Sequence, residues 1–159
     1  MSPICASEFL FRSFEGVPNQ VEEVELIHCK FFCIEELDEW PSLKSLKVYC
    51  FEFMLSKPIY LSDLVGLERL ELKHLNLFIE ETGLIGMLQN SSCSLQSLTT
   101  SDCHTSIDQV LHRIGSVKTL KNLDITGAEV GEDGLEGLIS ATTSKHSQFH
   151  NVFLLQRMD

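Results

Sequence analysis

The sequence predicts an α/β fold: a solenoid with short parallel strands on a concave side and helices or turns on the convex side. Two observations carry this. A six-residue pattern recurs along the chain: apolar, two free positions, apolar, one free position, apolar. The segments between its copies carry helical spacing or turn residues. The copies start at residues 21, 43, 67, 95, 120 and 149, so successive starts lie 22 to 29 residues apart.

The elements follow in order. Residues 1–20 are expected to form an N-terminal helix, Ser7 to Phe14 with Phe9, Leu10 and Phe14 apolar, or an incomplete first unit. Residues 21–159 make about six units in a single domain. The strand cores are Val21-Glu-Glu-Val24-Glu-Leu26, Leu43-Lys-Ser-Leu46-Lys-Val48 and Leu67-Glu-Arg-Leu70-Glu-Leu72. Leu95-Gln-Ser-Leu98-Thr-Thr100, Leu120-Lys-Asn-Leu123-Asp-Ile125 and Phe149-His-Asn-Val152-Phe-Leu154 complete the set. Strand side chains alternate between faces, so the fourth and sixth positions of each core point inward and the third, fifth and seventh outward. Pro41 and Pro58 limit the return segments of the early units to a turn or a short 3₁₀ piece. Later returns are helical. Leu84, Ile85 and Leu88 share one face, as do Ile107, Val110, Leu111 and Ile114, and Leu135, Leu138 and Ile139 are expected to do the same. Gly115 and the Asn90-Ser91-Ser92 cluster mark helix exits.

Such units bury their apolar faces only against one another, so a stack needs capped ends. The chain stops just past the sixth core, which leaves outward Phe153 and Leu155 without a following helix. The expectation is a fragment of a longer array, or self-association through an exposed end.

These cores at intervals of about 20–29 residues resemble the leucine-rich repeat family over roughly residues 21–157. The family places Asn or Cys at the ninth position. Here Cys29 and Cys103 keep that pattern, whereas Phe51, Leu75, Ala128 and Arg157 depart from it. Residues 120–138 look like the longer helix-containing units of ribonuclease inhibitor, NOD-like receptors and F-box substrate receptors. The resemblance implies a protein-binding module, as in the substrate-recognition part of a ubiquitin ligase or an immune sensor. A self-associating scaffold is the alternative.

Composition narrows the function further. With 12 Lys and Arg against 23 Asp and Glu, the net charge is −11. Such a chain lacks the basic stripe that releases counterions from nucleic acid and is repelled by anionic membranes. No nucleic-acid or membrane partner is expected, only another protein. The start, Met1 to Ala6, lacks a signal peptide's basic and long apolar regions. The six cysteines read as reduced thiols of an intracellular, cytoplasmic protein.

Catalytic and cofactor chemistry finds no convergent set. His28, Cys29 and Cys33 lack the four ligands at fixed spacing that zinc requires. Cys103 and His104 are adjacent and point apart, without a third orienting group. Glu35-Glu36 and Glu80-Glu81 suit loops and helix starts, and no glycine loop carries a P-loop's Lys and Ser/Thr. The expectation is therefore a non-enzyme without cofactors, whose partner contacts come from outward strand positions. These are Glu25, Lys47, Tyr49, Arg69, Glu71, Lys73, Thr99, Asp124 and Phe153. Tyr49 is the leading anchor, since Tyr and Arg dominate interface energetics. Glu25, Lys47 and Glu71 are expected to form a lateral row of alternating charge.

Overall fold

The computed structural model describes residues 4–7, 20–27, 41–49, 61, 64, 66–74, 81–102, 107–143 and 151–155, with backbone alone at 4–7, 26, 81–82 and 151–155. Among these residues seven parallel strands form one sheet in strictly sequential order. They are β1 (Ile4–Ser7), β2 (Glu23–Ile27), β3 (Ser45–Tyr49), β4 (Arg69–Lys73), β5 (Ser97–Ser101), β6 (Asn122–Thr126) and β7 (Asn151–Leu155). Among the described residues three helices intervene: α1 (Glu81–Gln89), α2 (Asp108–Ile114) and α3 (Glu132–Thr143). The architecture is α/β with a parallel sheet.

The pattern positions account for the strands. First-position Val21, Leu43, Leu67, Leu95 and Leu120 are all buried, as are fourth-position Val24, Leu46, Leu70, Leu98 and Leu123. Together with Val48, Leu72 and Ile125 they join one apolar core with Leu84, Met87, Leu88, Val110, Leu111, Ile114 and Leu138 from the helices. Strands whose inner positions all reach one core must share a phase, since a one-residue slip would turn every apolar side chain outward. The register keeps that phase, pairing Leu46 with Val24 and Leu70, and Leu98 with Leu70 and Leu123.

Backbone bonds repeat with the same regularity. The Glu22 carbonyl accepts the amides of Lys44 and Ser45, Lys44 those of Glu68 and Arg69, Glu68 those of Gln96 and Ser97, and Gln96 those of Lys121 and Asn122. A bond spanning three residues feeds the chain into its strand, as from Leu64 to Leu61, Leu67 to Leu64, Val117 to Ile114 and Leu120 to Val117. At the far end, β4, β5 and β6 exit through left-handed residues, His74 (φ 51°), Asp102 (φ 53°) and Gly127 (φ 68°). His and Asp tolerate this region better than most side chains. The His74 amide bonds the Ser101 carbonyl and the Asp102 amide that of Thr126, extending the ladder one rung beyond each strand. Gly127 is required in its place. A Cβ there would lie 2.8 Å from Asp102 Oδ1, the carboxylate whose Oδ2 sits 3.2 Å from His74 Nδ1.

Two expectations need correcting. The sheet begins before residue 21: Ile4–Ser7 pairs with β2, so the described residues hold seven strands and Ser7 ends a strand rather than starting a helix, which fits the other expectation for residues 1–20, an incomplete first unit. The rest of the expected helix, residues 8–14, lies outside the described residues. The second correction concerns α3. Leu138 is buried, but Leu135 is 44% and Ile139 61% exposed. The buried positions are instead Gly134, Gly137, Leu138 and Ala141. The reason lies in α2. A Cβ on Gly137 would stand 2.5 Å from His112 Cα, and Ala141 Cβ lies 3.0 Å from the Cβ position of Gly115. Small residues on α3 thus let the two helix backbones approach closely, which turns Leu135 and Ile139 away from α2. Helices α1 and α2 carry the expected faces, with Leu84, Leu88, Val110, Leu111 and Ile114 buried and Ile85 partly so. Of the ninth positions, Ala128 is buried in the core. Cys29, Phe51, Leu75, Cys103 and Arg157 lie outside the described residues.

Candidate functional site: the outward face of the sheet

Because all strands share one phase, the outward positions line up as three rows across the sheet. The first row runs Glu23, Ser45, Arg69, Ser97, Asn122 and Asn151. The middle row is Glu25, Lys47, Glu71, Thr99, Asp124 and Phe153, and the third is Ile27, Tyr49, Lys73, Ser101, Thr126 and Leu155. Every residue expected to contact a partner falls in these rows. Phe153 does so by the register of its backbone with Asp124, its side chain lying outside the described residues.

Four of the expected residues converge. Lys73 Nζ lies 2.5 Å from Glu71 Oε1, and Lys47 Nζ lies 3.9 Å from Glu71 Oε2. Tyr49 donates its hydroxyl to the same carboxylate, and the Lys73 ammonium stands 5.2 Å from the centre of the Tyr49 ring. That separation is within cation–π range. Adjacent strands bring Lys47 and Tyr49 beside Glu71 and Lys73, and the two-residue spacing within each strand keeps both members on one face.

The ionisation states follow from this packing. Burial pushes the Tyr49 hydroxyl up to about 12, helped by its hydrogen bond to Glu71 and by the negative charges of Glu71 and Glu25. Burial alone would raise Glu71. The hydrogen bonds from Lys73 and Tyr49 and the charges of Lys73 and Lys47 outweigh it and hold the carboxyl below its ordinary value. At neutral pH the Tyr49 phenol is therefore neutral and Glu71 a carboxylate.

The alternating row is only partly realised. Lys47 meets Glu71 at the limit of contact, the shorter bond to Glu71 comes from Lys73 on the same strand, and Glu25 makes no ion pair among the described residues. Lys47 stands on the Glu71 side, beside a carboxylate that Lys73 and Tyr49 also hold. Arg69 leaves this group altogether. Its Nη2 reaches 2.6 Å from Glu23 Oε1, on the far side of β3. Such a bridge crosses two strand spacings of about 4.8 Å each, which only a side chain of arginine's length spans. Ser45, in register between the two, is 3% exposed. The first row thus holds an arginine–glutamate clamp over a small residue. Parity puts a long cation and a carboxylate on either side of a serine in one row, which makes this clamp possible without selecting it.

Beyond β4 the face changes character. Ser97, Thr99, Ser101 and Thr126 are half-buried hydroxyls, and Asn122 is an exposed amide. Asp124 is half-buried on the middle row and makes no ion pair among the described residues. At the strand starts, Lys44 Nζ lies 2.7 Å from Glu22 Oε1. That hydrogen bond raises the lysine above its ordinary value and lowers the glutamate.

Elsewhere, a trough of about 380 Å³ lies between α2 and α3, lined by Asp108, His112, Arg113, Asp133, Glu136 and Ser140. It is open and mixed in charge, and Asp108 within it is committed to the Gly131 amide at 2.8 Å. Among the described residues no group of three or more His, Cys, Asp or Glu is placed to hold a metal ion, and no helix is long and apolar enough to cross a membrane. Cys93 is a free, partly buried thiol packed against the core. What the outward face offers chemically is a fixed array of charges, hydroxyls and one tyrosine. No family model, curated protein or solved structure matches this chain.

Proposed function

We propose that the chain is a leucine-rich repeat arc whose outward sheet face, the concave side of the arc, binds another protein. One observation supports this reading above the others: outward side chains from successive parallel strands fall in register, so separate units contribute to continuous rows. Helices are wider than strands, so a stack with helices on one side bends toward its sheet and presents those rows to a partner. Tyr49, half-buried and braced by Glu71 and Lys73, has the pre-organisation that makes an aromatic anchor effective. The role is one of recognition rather than catalysis, in an intracellular setting. The resemblance of the longer units to substrate receptors of ubiquitin ligases and to immune sensors suggests which settings to test.

The test is affinity capture from cell lysate with mass spectrometry, comparing wild type with a Lys47→Glu/Tyr49→Ala/Arg69→Glu variant shown to be folded by circular dichroism. Partners lost only from the variant are the expected result. A partner set unchanged by all three substitutions would refute the reading.

One observation favours a second reading, self-association through the end of the stack. Leu135 and Ile139, four residues apart on α3, are exposed on the face turned away from α2. Covering that face would extend the helix-on-helix packing already present between α2 and α3.

A further inference from the structure

The charges on the outward face do not cancel evenly. Each lysine or arginine at an outward position of β2 to β6 stands in an ion pair: Arg69 with Glu23, and both Lys47 and Lys73 with Glu71. Lys73 is committed further by its position over the Tyr49 ring, and the Tyr49 hydroxyl by its bond to Glu71. The cations at the centre of the face are therefore engaged within the sheet's own network. The carboxylates are not all engaged. Glu25 on β2 and Asp124 on β6 make no ion pair among the described residues, and both are half-buried on the middle row. They flank the centre on either side. The charge left to meet a partner is thus negative, the same sign as the chain's net −11, so the long-range field and the local seats favour the same kind of ligand.

The spacing adds a length. From β2 to β6 there are four strand intervals of about 4.8 Å, or about 19 Å. An extended chain advances about 3.3 Å per residue, so about six residues cover that span. Between the seats the face presents the Tyr49 ring and the Thr99 hydroxyl, an apolar surface and a hydrogen-bonding group.

We infer that the outward face takes a basic, extended segment of a partner protein crossing the strands, with two Lys or Arg side chains about six residues apart, one at Glu25 and one at Asp124. This rests on the proposed protein-binding role of the same face. An acidic segment seated on Lys47 and Lys73 is the competing occupant. It would have to displace Glu71 from two ammoniums and a phenol, or approach that carboxylate against its repulsion.

The experiment is selection of a random twelve-residue peptide library displayed on phage against the immobilised full chain. The enriched peptides are then synthesised with a fluorophore and titrated by anisotropy. Enriched sequences should carry net positive charge with Lys or Arg pairs about six apart. Their affinity should fall by up to about fivefold with each of Glu25→Gln and Asp124→Asn, as suits partly exposed ion pairs, and should weaken with added salt. Acidic peptides, or peptides indifferent to both amide substitutions yet lost in the Lys47→Glu/Tyr49→Ala/Arg69→Glu variant, overturn this inference while leaving the binding face in place. Peptides indifferent to that variant as well, or no enrichment at all, overturn both.

Discussion

Replacing Gly137 with alanine sets two physical effects of opposite sign against each other. In an isolated helix the change stabilises by about 0.8–1 kcal/mol, because glycine carries the larger backbone entropy cost. In the folded chain the new Cβ would lie 2.5 Å from His112 Cα and 2.9 Å from His112 N. Non-bonded carbons settle at about 3.5–4.0 Å, so α2 and α3 must part by about 1 Å. The obstacle is backbone within a helix, which cannot swing aside as a flexible side chain could. Parting also loosens the neighbouring approach of Gly115 to Ala141. Overpacking of this kind costs about 1–3 kcal/mol. Subtracting the propensity gain leaves a net destabilisation of about 1 kcal/mol. With a urea m-value of about 2 kcal/mol/M, the unfolding midpoint should fall by ~0.5 M at unchanged m. Ser140→Ala, three residues along the same helix at an exposed position, is the control and should raise the midpoint slightly through propensity alone. If Gly137→Ala raises the midpoint as the control does, the close approach of α2 and α3 is wrong, and with it the account of why Leu135 and Ile139 are exposed.

Three further outcomes are expected. Thr100 is 5% exposed and its Oγ1 has no hydrogen-bond partner among the described residues, so Thr100→Val should stabilise by about 1 kcal/mol in the same urea assay by removing an unsatisfied hydroxyl; destabilisation of that size would mean the hydroxyl is bonded. In a Tyr60→Phe background, the 295 nm absorbance of Tyr49 should titrate near 12 and move toward 10 with Glu71→Gln. Since the folded state holds this proton more tightly than the unfolded one, the group's contribution to stability is intact below about pH 10 and is lost as pH rises toward 12; an ordinary midpoint unaffected by Glu71→Gln would contradict the hydrogen-bonded cluster. Sedimentation equilibrium should show concentration-dependent association of wild type that Ile139→Glu weakens, if the outer face of α3 mediates self-association; a monomer at every concentration removes that second reading.

The parallel strands from β2 onward were legible in the sequence because their information is local. A side chain's face in a strand depends only on its parity, so Leu46 and Val48, or Leu123 and Ile125, announce their inward direction without knowledge of any neighbour. Equal phase between copies then implies lateral rows, and Glu25, Lys47, Glu71, Thr99 and Asp124 do share one. The first strand went unread although Met1, Ile4 and Ala6 keep the pattern's apolar spacing: with a small alanine at the sixth position the copy carries a weak apolar signal, and Ile4–Ser7 is recognisable as a strand through its pairing with β2.

Tertiary structure decided everything that depends on distance across the rows. Parity places Lys47 and Arg69 outward but does not say which carboxylate each reaches. That choice came from side-chain length and competition: Arg69 spans Ser45 to Glu23, while Lys47 leans toward a glutamate already held by Lys73 and Tyr49. The same holds for α3. Hydrophobicity favours burying Leu135 and Ile139, but a helix can turn its small residues to a neighbour when backbone approach outweighs the apolar area lost. Only the position of His112 opposite Gly137 settles which face wins.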